Sequence, residues 1–131
     1  MRKKCYIYTR VSTAAQTEGY SLEAQTERLR KYADYKEMEV VREYCDAGKS
    51  GKSITGRPEF QRMMASMKAG KLDCIIVKDL SRFGRDYLET GYYLETILPK
   101  LNVRFIAITD HYDSLTADKN TTSFVIPERI L

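Results

Sequence analysis

The sequence contains only three cysteines and one histidine among its 131 residues. Cys5, Cys45 and Cys74 are odd in number and far apart, and none has a second cysteine or histidine at the spacing of a zinc site. A chain of this length buries enough apolar surface to fold without a disulfide or a structural metal. These features exclude a small disulfide-stapled scaffold and predict reduced cysteines inside one domain.

Long hydrophobic runs and a strong charge of one sign are also absent. The apolar stretch behind the basic start of the chain breaks at Thr9 and Arg10, too early for a secretory signal, and no run approaches a membrane-spanning length. The 22 lysines and arginines exceed the 18 acidic residues by only four, which is weak evidence for a polyanionic partner. We therefore expect a cytoplasmic protein without a membrane partner, whose function depends on where its charges lie.

Hydrophobic patterns divide the chain into alternating strands and helices. Short apolar runs predict buried strands at residues 5–8, 40–45, 74–77 and 103–108. Helical spacing of apolar residues predicts helices at residues 21–36, 58–70 and 87–101. Residues 109–123 are polar and predict a loop. The alternation is typical of an open, mainly parallel α/β sheet of about four to five strands with helices on both faces.

Three polar segments follow the first three predicted strands, so they meet at one edge of a parallel sheet. They supply four arginines, Arg10, Arg57, Arg82 and Arg85, together with the hydroxyl residue Ser12. Guanidinium groups bind phosphate oxygens bidentately and stabilise the charge that grows in a phosphoryl-transfer transition state. Acyl transfer fits poorly, because a Ser-His-Asp triad needs a histidine base and the single histidine, His111, lies in the polar tail.

Other parts of the sequence favour interpretations that compete with phosphoryl transfer. Two Gly-Lys-Ser tripeptides, at residues 48–50 and 51–53, match the end of a nucleotide-binding loop, but both lack the leading glycine and neither opens a helix. A metal-dependent nuclease would use paired carboxylates, for which the candidates are Asp46, Asp73, Asp79 and Asp86. A non-catalytic module whose arginines only bind nucleic acid or phosphate also remains open, because exposed loops of this composition are often only solvated surface.

Five spaced motifs resemble those of a known family, in order and over nearly the whole chain. They are Tyr8-Thr9-Arg10-Val11-Ser12-Thr13, Ser21-Leu22-Glu23-Ala24-Gln25, Asp46 with Ser50-Gly51, Gly56-Arg57-Pro58-Glu59-Phe60, and the segment from Lys78 to Asp86. Together they resemble the catalytic domain of the serine site-specific recombinases, the resolvase/invertase family. The long first loop, with Gly19-Tyr20 before Ser21, is similar to that of the large serine recombinases of mobile elements.

The resemblance implies a DNA strand transferase that needs no metal or other cofactor. It implies that Ser12 attacks a backbone phosphate, becomes linked to the 5′ phosphate and releases a 3′ hydroxyl. It assigns the phosphate clamp and catalytic support to Arg10, Arg82, Arg85, Arg57 and Gln25, and supporting polar roles to Tyr8, Asp46, Ser50 and Ser81. Small resolvases carry an acid where this chain has Ser81, so no acid–base role is assigned there or transferred to Asp79.

The resemblance also implies a domain organisation and partners. Residues 1–111 are expected to form the resolvase-like catalytic domain, and residues 112–131 a polar loop with the truncated start of the following helix. A C-terminal DNA-binding region is then absent from this sequence. The implied partners are duplex DNA and further copies of the protein, as a dimer or a synaptic tetramer, in site-specific integration, excision or inversion.

Overall fold

A computed structural model of the protein describes residues 2–11, 22–47, 57–79 and 87–116. Strands and helices alternate along these residues, as the hydrophobic pattern predicts. The elements are β1 (Lys3–Val11), α1 (Leu22–Tyr35), β2 (Met38–Ala47), α2 (Pro58–Ala69), β3 (Cys74–Val77), α3 (Tyr87–Tyr92), a π-helical segment (Tyr93–Ile97), α4 (Leu98–Leu101), β4 (Arg104–Ala107) and β5 (Tyr112–Asp113). Among the described residues, no helix has both the length and the apolar character needed to cross a bilayer.

The five strands form one sheet in the order β2-β1-β3-β4-β5. The strands β2, β1, β3 and β4 are parallel to one another, and β5 runs antiparallel to β4. This arrangement confirms the predicted open, mainly parallel α/β fold. Parallel strands align their carboxyl ends, so β1, β2 and β3 deliver their following segments to one edge.

The predicted loop over residues 109–123 is wrong at Tyr112 and Asp113, which form β5. Polar side-chain contacts with β4 help to hold this strand in the sheet. The Arg104 guanidinium donates to both oxygens of Asp113 at 2.9 and 2.5 Å, and the Phe105 amide donates to the Ser114 hydroxyl at 2.9 Å. Because a strand of two residues is too short to show hydrophobic alternation, sequence periodicity does not reveal it.

Buried side chains alternate between two faces of the sheet. On one face, which we call the α1 face, Cys5 and Ile7 pack against Leu29 and Ala33 of α1. On the other, the α2 face, Tyr6 and Tyr8 of β1 pack with the buried stripe of α2 and with the π segment and α4. That stripe consists of Phe60, Met63, Met64 and Met67. The predicted apolar stripes of α1 and α2 are therefore buried as the 3.6-residue spacing requires, and helices cover both faces of the sheet.

One extra residue in β2 shifts the register between β1 and β2. Cys5 pairs with Val40, whereas the next residue, Tyr6, pairs with Arg42, so Val41 has no partner in β1. This is a β-bulge. Because successive side chains of a strand point to opposite faces, one inserted residue turns everything after it in β2 to the other face of the sheet.

The consequence of the bulge is visible in the side chains before and after it. Met38 lies in the buried cluster of the α1 face, and Tyr44 lies in that of the α2 face. Asp46, two residues beyond Tyr44, shares its face and pairs with Arg10 of β1. The sequence predicts Arg10 and Asp46 in loops, and this is wrong: both lie inside strands, where β1 and β2 remain paired past their apolar parts.

The helix that begins at Tyr87 is regular except for its π-helical segment. There the Leu98 amide donates to the carbonyl of Tyr93, five residues earlier. Pro99 follows immediately, and a proline lacks the amide hydrogen and crowds the carbonyl four residues before it. The wider turn ahead of Pro99 accommodates its ring without ending the helix.

Candidate active site

Five of the predicted site residues belong to the part of the chain that the structure describes: Tyr8, Arg10, Gln25, Asp46 and Arg57. The other five, Ser12, Ser50, Ser81, Arg82 and Arg85, lie outside the described residues. Of the first group, the fold brings all except Gln25 to the α2 face of the sheet at its carboxyl edge. Their arrangement is built around a buried carboxylate.

Asp46 is the centre of this arrangement and is 2% exposed. Its Oδ2 accepts hydrogen bonds from the Tyr8 hydroxyl at 2.7 Å and from the Phe60 amide at 3.0 Å, and its Oδ1 accepts one from the Glu59 amide at 2.9 Å. Pro58 occupies the first position of α2, so these two amides are among the first donors that the helix itself leaves unused. Asp46 therefore caps α2 from a neighbouring strand, where the helix dipole favours a negative charge.

Tyr8 stays protonated in this environment. Burial raises the pKa of its hydroxyl well above the usual value, and the hydrogen bond to Asp46 and the charge of that carboxylate raise it further. The positive charges of Arg57 and Arg10 act in the opposite direction, so both guanidinium groups lie close enough to influence the phenol. At neutral pH Tyr8 is a hydrogen-bond donor that orients Asp46.

Arg57 forms the N-cap of α2, and its carbonyl accepts the hydrogen bond from the Gln61 amide at 3.1 Å. Its backbone adopts φ 42° and ψ 66°, in the left-handed region. That conformation costs a bulky residue about 1–3 kcal/mol, and such strain persists only where the surroundings hold it. Its guanidinium carbon lies 4.0 Å from the centre of the Phe60 ring, and its Nη2 donates to Glu89 of α3. The side chain is 5% exposed.

Arg10 is half-buried and lies beside Asp46 in the pairing of β1 with β2. By strand alternation it shares the face of Tyr8, two residues earlier. Arg10, Tyr8, Asp46 and Arg57 thus form a polar group at the carboxyl edge, with two cations beside one capped carboxylate. Such a group is suited to binding an oxyanion and to stabilising the charge that grows on it.

Gln25 lies elsewhere. It is buried on α1, on the other face of the sheet, where it lines a narrow cleft with Lys78 and Thr109. The cleft still opens at the carboxyl edge, since Lys78 directly follows β3 and its carbonyl accepts the Thr109 amide at 2.7 Å. Gln25 therefore approaches the edge from behind the sheet.

Of the four carboxylates proposed for a metal-dependent nuclease, Asp86 lies outside the described residues, and the other three do not converge. Asp46 is occupied as the cap of α2, and Asp79 is paired with Lys78 at 3.3 Å. Asp73 precedes β3 and accepts the Lys4 amide at 2.8 Å, which places it at the opposite, amino edge. The described part of the chain contains no group of three His, Cys, Asp or Glu side chains that could hold a metal ion.

Sequence reasoning missed Glu89. It is the single charged residue of α3, and its carboxylate pairs with the buried guanidinium of Arg57. The available signal was positional: Glu89 stands four residues after Arg85 and within the first turn of a predicted helix. That signal is weak, because most acidic residues at helix starts are exposed.

Comparison with known proteins identifies the fold and the family. The family described as "Resolvase, N terminal domain" matches residues 5–126. A resolvase family site-specific recombinase from Streptococcus pneumoniae is 44% identical and superimposes with a TM-score of 0.81, covering 98% of this chain and 87% of that one. The N-terminal catalytic domain of TP901-1 integrase is 35% identical with a TM-score of 0.74, covering 88% and 84%.

A phage protein is also similar in sequence. Uncharacterized immunity region protein 3 of Bacillus phage phi105 is 41% identical over 69 residues, which cover 52% of this chain and 83% of that protein. The family match spans nearly the whole chain, and a solved resolvase family recombinase and a solved integrase catalytic domain are similar to it in both sequence and fold. The chain belongs to the resolvase N-terminal domain family and is the catalytic domain of a serine site-specific recombinase.

Proposed function

We propose that this domain cleaves and rejoins duplex DNA through a covalent ester between Ser12 and a 5′ phosphate. Membership of the family implies a DNA substrate. The observation that supports cleavage through Ser12 is the cluster of Arg10, Tyr8, Asp46 and Arg57 at the carboxyl edge of β1. Ser12 is two residues after Arg10 in the sequence, so the strand that supplies the nearest cation leads directly to the nucleophile.

The reaction conserves phosphoester bonds. The Ser12 Oγ attacks phosphorus, the P–O3′ bond breaks as the Oγ–P bond forms, and the leaving 3′ oxygen takes up a proton while the serine gives one up. Attack by a 3′ hydroxyl on the serine ester reverses the step without an external energy source. Splitting one strand exchange into two transesterifications is covalent catalysis.

Each described residue has a part in this proposal. Arg10 and Arg57 neutralise the phosphate and the charge that develops on it. Asp46 and Tyr8 do not contact DNA but hold α2 and its N-cap arginine in place. Gln25, Ser50, Ser81, Arg82 and Arg85 keep the roles that the family resemblance gives them, with Arg82 and Arg85 completing the clamp.

The biological setting is part of the same proposal. We expect the protein to act on the DNA sites of a mobile element and to pair two sites by assembling into a tetramer from dimers. A cytoplasmic location is supported by the three cysteines, which are all free thiols.

A covalent-adduct assay tests the proposal. The protein, in the full length that its gene encodes, is incubated with 3′-labelled duplex fragments from its native genomic neighbourhood in the presence of EDTA. Denaturing electrophoresis detects label that migrates with protein, and mass spectrometry locates the nucleotide on a peptide. We expect an adduct at Ser12 that forms without metal and that disappears in Ser12→Ala while DNA binding is retained.

Two other results would each contradict the proposal. Free 5′-phosphate ends that form only when divalent metal is supplied would identify a nuclease. Intact DNA from a protein that demonstrably binds the fragments would identify a non-catalytic module.

A further inference from the structure

The guanidinium of Arg57 is held from more than one side. The ring of Phe60 lies beneath it at 4.0 Å, and the carboxylate of Glu89 accepts a hydrogen bond from its Nη2. Tyr93, one helical turn after Glu89, packs edge-on against the same Phe60 ring, with ring centres 5.2 Å apart. The helix that starts at Tyr87 therefore contacts Arg57 directly through Glu89 and supports the Phe60 ring beneath it through Tyr93.

The charges of this group are coupled. Arg57 is 5% exposed and Glu89 is 30% exposed, so the carboxylate neutralises a cation that water hardly reaches. Burial raises the pKa of the Tyr93 hydroxyl, the charge of Glu89 raises it further and that of Arg57 lowers it. The Tyr93 hydroxyl thus lies in the field of both partners.

We propose that Glu89 is a positioning residue of the recombination reaction, which acts by fixing the orientation of the Arg57 guanidinium toward the phosphate. This inference rests on the proposed function, because it assumes that Arg57 stabilises the reacting phosphate. Glu89 itself does not touch DNA in this account. It determines in which plane the guanidinium is presented.

The location of Glu89 explains why one ion pair has leverage on the chemistry. Arg57 sits at a strained N-cap, where backbone preference alone does not fix its direction. Glu89 lies four residues after Arg85 in the sequence, at the start of the helix that follows the other two proposed clamp arginines. The pair therefore joins the start of α2 to the start of α3. An error of about 1 Å in such a group lowers a reaction rate by roughly 100-fold.

The test compares Glu89→Gln with Glu95→Gln in the adduct assay with the full-length protein. Glu95 is exposed and stands on the same helix, so both variants remove one negative charge from it. We expect Glu89→Gln to lower the single-turnover rate of Ser12 ester formation roughly 10- to 100-fold at saturating DNA, with little change in DNA affinity. Glu95→Gln is expected to match the unmodified protein in both measurements. Glu89→Asp, which keeps the charge, should recover most of the rate.

A double-variant comparison separates positioning from general stabilisation. If Glu89 acts through Arg57, adding Glu89→Gln to Arg57→Lys causes no further loss of rate, whereas an independent contribution would lower it again. Thermal unfolding shows whether each protein is folded. Should Glu89→Gln fail to fold, Glu89→Ala, which also removes the carboxylate, gives the same comparison with and without Arg57→Lys.

The outcomes divide as follows. Normal ester formation by Glu89→Gln overturns the inference and leaves the proposed function intact. Faster ester formation by Glu89→Gln also overturns it, because Glu89 would then restrain Arg57 rather than aim it. Absence of any Ser12 ester from the unmodified protein overturns the proposed function and this inference with it.

Discussion

The two faces of the sheet are built from different materials. The buried cluster of the α1 face consists of aliphatic side chains, the thioether of Met38 and two thiols, and it includes Cys5, Ile7, Cys74 and Ile76. On the α2 face, β1 and β2 place three tyrosines against the methionines of α2, and the hydroxyls have polar partners. Tyr44 donates to Ser66 at 3.1 Å and Tyr8 donates to Asp46.

This difference shows how one sheet serves two purposes. The α1 face is stabilised mainly by removal of apolar surface from water, which has no direction. The α2 face adds hydrogen bonds, which have direction. The side chains that β1 places on this face become more polar toward the carboxyl edge, from Tyr6 through Tyr8 to Arg10. The face that carries the site is therefore the one in which orientation, and not only burial, determines the packing.

Deleting Val41 would turn the side chains at the end of β2 to the opposite face of the sheet. Of the changes considered, it is expected to lower stability most. Without the bulge, Asp46 would turn toward the apolar α1 face and lose its contacts with Tyr8 and α2. A buried carboxylate without partners is costly, so we expect the free energy of unfolding to fall by about 4 kcal/mol or more. Chemical denaturation measures it, and Val41→Ala, which keeps the residue count, should lie within about 1 kcal/mol of the unmodified protein. Equal stability of the deletion variant would show that the bulge does not set the register.

Asp46→Ala and Leu29→Ala sharpen the comparison at matched cost. Asp46→Ala leaves three donors, two of them buried, without their acceptor, and Leu29→Ala opens a cavity on the α1 face. Each should destabilise the fold by about 2–4 kcal/mol. Only Asp46→Ala should also abolish Ser12 ester formation at a temperature where both proteins are folded. Equal loss of activity in the two variants would mean that stability alone limits the reaction.

How far the sequence predicts this division differs between the faces. Periodicity predicts the buried stripes of both helices and the four parallel strands, because apolar burial follows the 2- and 3.6-residue repeats. It does not reveal the bulge at Val41, which lies in a run of otherwise ordinary strand residues and reverses the facing of Asp46. The partners of Asp46 are 13 to 38 residues away, so its role as a helix cap depends on tertiary structure.

The sequence predicts a set of site residues but not their geometry. The motifs around Tyr8, Asp46 and Arg57 indicate the correct family. No sequence rule predicts that Arg57 takes a left-handed backbone. Nor does one predict that its charge is neutralised by Glu89, which lies 32 residues away on another helix.

Tyr8→Phe tests the hydrogen-bonded α2 face with a smaller change. It removes one hydroxyl that donates to a buried carboxylate and leaves the ring, which packs edge-on with Phe60 at 5.5 Å between ring centres. A bond of this kind contributes about 1.5–3 kcal/mol, and Tyr35→Phe, at a residue that is 77% exposed, is the matched control with no expected change. Identical denaturation midpoints for the two variants would show that the Tyr8 hydroxyl does not support the fold.

The smallest expected difference between the two faces is in how the free energy of unfolding falls at alkaline pH. Burial, aided by the charge of Glu39, raises the pKa of the Cys5 thiol from 9.0 to about 11, and burial followed by the Asp46 hydrogen bond raises that of Tyr8 from 10.0. A group whose pKa is higher in the folded protein contributes stability below its unfolded pKa and loses that contribution as the pH rises through the folded value. Stability should therefore start to fall near pH 9 through Cys5 and only above pH 10 through Tyr8. Denaturant titrations from pH 8 to 11 should show that Cys5→Ala reduces the slope between pH 9 and 11, whereas Tyr8→Phe changes it only above pH 10. A Cys5→Ala slope equal to that of the unmodified protein would mean that the Cys5 thiol does not take part in this loss.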